Sequence, residues 1–124
     1  MKQTFIIQGR LPSLNEYIKA ERATKYAAST MKKGWQQRIL NIIRKAKIQS
    51  TKKPVVLTYE HFVPDKRRDR DNIASIAHKF IQDALVTGGI IKDDGWDYVR
   101  NSFDIWHIDR TDPRIVVTIE EVEE

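Results

Sequence analysis

Asp69 and Asp71 stand two residues apart inside Asp65-Lys66-Arg67-Arg68-Asp69-Arg70-Asp71-Asn72, a stretch in which carboxylates are mixed with cations. On extended backbone, residues two apart project to the same side, so this pair would offer oxygens to a single hard cation. Magnesium suits such a pair. It takes oxygen ligands, keeps several waters, and is commonly held by one or two carboxylates together with a substrate phosphate. Two plainer readings compete: Asp71 or Asn72 caps a following helix, or Arg67, Arg68 and Arg70 contact phosphate while the aspartates only balance charge. A third carboxylate is available at Asp94, within Ile91-Lys92-Asp93-Asp94-Gly95-Trp96. Between them, Asn72, Lys79 and Asp83 fall on one row of a helix. The bland role for Lys79 is an i, i+4 surface pair with Asp83, contributing on the order of a few tenths of a kcal/mol.

Positioning these residues requires a definite set of elements. Lys2 to Gln8 is β-branched and aromatic and ends at Gly9, which predicts a strand. Ser13-Leu14-Asn15-Glu16 has the Ser-x-x-Glu spacing of a capping box and predicts a helix start. Trp35, Ile39, Ile42, Ile43 and Ala46 recur at helical spacing within a predicted helix from Ala28 to Ile48. A strand is predicted over Val55 to Phe62, stopped by Pro64. The clearest periodicity is Ile73, Ile76, Ala77, Phe80, Ile81, Ala84 and Leu85, predicting a helix over Asn72 to Thr87 that Gly88-Gly89 can end. Strands over Val99 to Ile108 and Arg114 to Ile119 flank a turn and are expected to pair as a hairpin. The order β-α-α-β-α-β-β predicts an α+β fold, a small mixed sheet of about four strands packed against helices, in one domain over residues 1–124. The predicted helix after Asn72 spans about 24 Å. The chain must therefore fold back for Asp94 to approach Asp69.

Length and composition bound the remaining choices. A chain of 124 residues accommodates one ordinary domain. With no cysteine, disulfides, zinc thiolates and thiol nucleophiles are excluded, so any metal is held by oxygen or imidazole. The net charge of +5 and pI of about 9.5 favour a polyanionic partner such as nucleic acid. No apolar run reaches the length of a membrane span and the start lacks a secretory pattern, so a cytoplasmic location is the expectation. Trp96 and Tyr98, beside a strand, read as core before base-stacking residues. His61, His78 and His107 show no metal-ligand spacing. The acidic run Glu120 to Glu124 reads as a solvated end.

Three ordered stretches, RRDRDNI, KFIQDAL and GGIIKDDGWDYV, with GRLPSLNEY near the start, resemble the RusA family of Holliday junction resolvases, particularly its phage and prophage members. The resemblance implies a homodimeric endodeoxyribonuclease that resolves four-way DNA junctions in recombination and repair by paired nicking. It also implies a magnesium cofactor, with manganese as a substitute, and three essential aspartates with one essential lysine in each subunit. By motif, the aspartates fall on Asp69, Asp71 and Asp94 as metal ligands. Counting back from Asp83 places the lysine on Lys79, while counting forward from Asp71 reaches Ser75, because this chain is about four residues longer between the two motifs. Lys66, Arg67, Arg68 and Arg70, together with Lys19, Arg22, Lys25, Lys32 and Lys33, are candidates to grip the DNA backbone. A nuclease of flaps or other branched DNA, and a non-catalytic DNA-binding module, remain alternatives.

Overall fold

A computed structural model describes residues 1–123. Alternation of buried and open positions builds three of the four strands of its sheet. Strand β1 (Lys2–Gln8) buries Phe5 and Ile7. After two helices, β2 (Val55–Val63) buries Val55, Leu57, Tyr59 and His61. The last strand, β4 (Arg114–Glu121), buries Ile115, Val117 and Ile119, and β3 (Val99–Ile108) precedes it. The sheet order is β1-β4-β2-β3, with β4 antiparallel to both neighbours and β3 parallel to β2.

The expected β3–β4 hairpin therefore does not form: β4 inserts between β1 and β2 instead. Burial explains the choice. The fully apolar inner face of β4 needs strands on both sides, whereas β3 carries exposed Arg100, Asn101 and Ser102 and is suited to the edge. The parallel β2–β3 pair is joined through a crossover helix, as parallel strands require.

Three helices cover one face of this sheet. Helix α1 (Leu14–Ala23) starts at the predicted capping box, with Ser13 and Glu16 satisfying each other's backbone amides. Helix α2 (Ala27–Lys45) contributes Ile39 and Ile43 to the core. The crossover helix α3 (Arg70–Thr87) contributes Ile76, Ala77, Phe80, Ile81, Ala84 and Leu85, the residues its periodicity marked. At its end Gly89 takes φ +74, and Ile90 N donates to Leu85 O at 2.9 Å, the Schellman arrangement that glycine favours. Gly88 meets a different demand: a Cβ there would lie 3.0 Å from Leu40 Cδ2.

The acidic C-terminus is more structured than a solvated end. Glu120 and Glu121 belong to β4. The Glu121 carboxylate accepts the backbone amides of Lys52 and Lys53, and Glu123 pairs with Lys53 at 3.1 Å. Glu124 lies outside the described residues. Among the described residues no helix is long and apolar enough to cross a membrane.

Candidate metal and nucleic-acid site

The β2–α3 junction fixes the two aspartates on which the sequence argument began. Asp69 is the N-cap of α3, with extended φ −66 and ψ 144, but its side chain makes no capping bond. Asp71 lies within the first helical turn, not on extended strand. Helical spacing does not by itself put the two on one side, yet both line one cleft at the N-terminal end of α3. Among the described residues neither carboxylate has a hydrogen bond or ion pair with the protein. Asn72 does serve structure. Its Oδ1 accepts the Asn15 backbone amide at 3.0 Å, tying α1 to α3.

Asp69 and Asp71 open into one cleft of about 830 Å³, together with Ser75 from the next turn of α3 and Asp104 and Trp106 from β3. Asp104 was not among the carboxylates singled out from sequence. It is held by two histidines: His61 Nε2 lies 2.7 Å and His78 Nε2 2.8 Å from the same oxygen, Asp104 Oδ1. His61 is fully buried, and burial holds its imidazole below the ordinary range despite the Asp104 carboxylate beside it, so it stays neutral. Carrying its proton on Nε2, it donates to Asp104, and its Nδ1 remains buried without a partner. Stacked rings clamp the pair, with Trp106 on His61 at 4.1 Å and Tyr59 on His78 at 4.4 Å between centroids. Burial drives the Tyr59 phenol well above its ordinary range, so it remains protonated and accepts from Gln82 at 3.0 Å. His61, His78 and Asp104 are the one group of three such side chains among the described residues with ligand atoms close enough to share a metal ion.

Asp94 lies elsewhere. It lines a separate cleft with Asp93, Thr87 and Asp83, at the C-terminal end of α3. Asp71 and Thr87 are separated by about 24 Å of helix at 1.5 Å per residue, so a single protomer brings Asp69 and Asp71 together and leaves Asp94 apart. Lys79 also lies outside the Asp69–Asp71 cleft: its ammonium is 5.5 Å from the centre of the Tyr17 ring. The expected Lys79–Asp83 pair is absent, because Lys32 of α2 takes Asp83 at 2.6 Å.

The basic loop divides by role. Arg68 is committed to the fold, pairing with Glu16 and donating to Leu11 O at 3.4 Å. Arg67 is exposed, loosely paired with Asp65 at 3.9 Å. Lys66 and Arg70 line a neighbouring cleft of about 490 Å³ that also includes Asp69 and His107. Trp96 overturns its expected core role, being 92% exposed in the loop beside Asp94.

The family model described as Endodeoxyribonuclease RusA matches residues 9–120 of the chain. No curated protein matches it.

Proposed function

Because the chain belongs to the RusA endodeoxyribonuclease family, we propose that it is a magnesium-dependent nuclease that resolves four-way DNA junctions by paired nicking during recombination and repair. The observation supporting this most directly is the cleft in which Asp69 and Asp71 lie open beside Asp104, at the positive end of α3. Hard oxygen donors without protein partners fit magnesium or manganese, and a cleft of this breadth admits a phosphodiester. When bound, the ion supplies a nucleophile at neutral pH and offsets charge growing on the phosphoryl oxygens.

The protein's own contribution is placement. Asp69 and Asp71 hold the ion at the start of α3. Lys66, Arg67 and Arg70 grip the backbone around the cleft, and Lys79, one turn beyond Ser75, meets a neighbouring phosphate. Asp94 completes the carboxylate set from a second copy of the chain, since a twofold homodimer can set the C-terminal end of one α3 against the N-terminal end of the other. Such a dimer would carry two sites for the two strands of a near-symmetric junction, and would act in the cytoplasm.

Incubating the purified protein with a synthetic immobile four-way junction, with and without magnesium, tests this reading. Symmetric paired nicks only with magnesium are expected, with Asp71→Asn binding the junction and leaving it uncut. Preferential cutting of flaps would shift the substrate assignment. Binding with no cutting under any divalent ion would remove the catalytic reading.

A further inference from the structure

We propose that His61 Nε2, His78 Nε2 and the Asp104 carboxylate form a binding site for one transition-type divalent cation, of the zinc or manganese class, distinct from the Asp69–Asp71 pair and opening into the same cleft. The proposal stands on the triad's geometry and does not depend on the nuclease reading.

Three elements, β2, α3 and β3, deliver the three side chains, and their ligand atoms all lie within 4.8 Å of one another. Parallel pairing of β2 with β3 sets Tyr59 opposite Asp104 and His61 opposite Trp106, which puts both partners of the triad on the helix-covered face. His78 reaches the same carboxylate oxygen from α3. Stacking of Trp106 and Tyr59 on the two imidazoles fixes their planes before any ligand arrives. Aromatic clamps of this kind hold donors in the productive orientation that tight coordination needs.

The chemistry selects the ion. Two imidazoles and one carboxylate suit zinc, manganese or cobalt, whereas magnesium prefers oxygen alone. Bonds of about 2.0–2.1 Å place tetrahedral ligand atoms roughly 3.3 Å apart, so the hydrogen-bonded triad, at 2.7 and 2.8 Å, has to open by roughly half an ångström. His78 and Asp104 are only partly buried and can supply that movement. Coordination through Nε2 requires that nitrogen to be free of its proton in each ring, which leaves Nδ1 to carry it. For His61 this turns the buried, partnerless Nδ1 into a donor, so loading the site also requires the packing around that nitrogen to relax toward an acceptor. Three protein ligands leave a fourth position open, as metal sites that handle substrate do. Asp104 lines the cleft that Asp69 and Asp71 share, so that position faces the same solvent.

Cobalt(II) is a suitable probe because its absorption reports coordination directly. Titrating the full chain should give one Co²⁺ per chain with the absorption of nitrogen-ligated cobalt, a signal that an all-oxygen site at Asp69 and Asp71 does not give. His78→Gln and Asp104→Asn, each shown folded by circular dichroism, should weaken binding at least tenfold. The double variant Asp69→Asn/Asp71→Asn should bind Co²⁺ as tightly as the wild type. In the unmodified protein, Co²⁺ should paramagnetically shift two of the three histidine rings and leave His107 unmoved. Absence of stoichiometric binding would leave the triad a hydrogen-bonded support and overturn the proposal. So would unchanged affinity in His78→Gln and Asp104→Asn, loss of binding in the double aspartate variant, or a shift confined to His107.

Discussion

Asp109 shows how much a single carboxylate can organise in this fold. Its Oδ2 accepts from Arg114 at 2.9 Å, while Oδ1 accepts the amides of Thr111 and Asp112 at 3.1 and 3.3 Å, closing the turn between β3 and β4. The Arg114 guanidinium, first, and then the Thr111 amide hold its carboxyl below the ordinary range. A group whose folded pKa is depressed contributes stability above its unfolded value and loses it as pH falls through the folded one. The urea midpoint should therefore drop as pH falls below about 4, and Asp109→Asn should lower the midpoint at pH 7 while making that acid limb shallower. An unchanged acid limb would take Asp109 out of the acid response. Lys79 poses a similar residue-level question at the proposed site. Because it stands off the Asp69–Asp71 cleft, Lys79→Ala should weaken junction binding and cleavage together and lower the salt slope of binding by about one phosphate contact. Loss of cleavage with binding intact would instead bring it to the scissile phosphate. Asp69 and Asp71 were legible because neighbours in sequence are neighbours in space. Asp104 and the two histidines were not, since their meeting depends on the parallel register of β2 with β3 and on how α3 packs over it, and single positions 43 and 26 residues apart carry no periodic mark of it.

Elements were legible where periodicity was strong and less so where topology decided. Helix α3 and the four strands lie close to their predicted spans because burial on one face imposes its own repeat. The hairpin expectation failed because sequence proximity of β3 and β4 counted for less than the need of Ile115, Val117 and Ile119 for cover on both sides. Trp96 was misread for the opposite reason: a large aromatic marks core only when an element carries it inward, and the Gly95 loop carries this one out. Helix ends offer a test at this scale. Lys47 follows α2 in the left-handed region at φ 56, where Ile48 N donates to Ile43 O at 3.1 Å. A lysine there bears a cost of about 1 kcal/mol that glycine avoids. Lys47→Gly should raise unfolding free energy by roughly 0.5–1 kcal/mol in chemical denaturation. A destabilised variant would show that the α2 end draws on contacts of the lysine stem.

For the whole molecule, the governing fact is that α3 separates Asp71 from the Asp94 cleft along its length. A site needing all three aspartates must then be completed across two copies, and that arrangement has a consequence no single-chain site shares. Asp71→Asn and Asp94→Asn should each abolish cleavage as homodimers. When the two are mixed and allowed to exchange, a heterodimer has one composite site with both lesions and one with neither. Mixing should therefore restore nicking of a four-way junction, on one strand per heterodimer, without restoring paired resolution. If each site were built within one chain, every site in the mixture would carry one lesion and the junction would stay intact. A mixture that remained inactive despite confirmed exchange would thus exclude a site shared between two copies and require each site to be complete in one protomer.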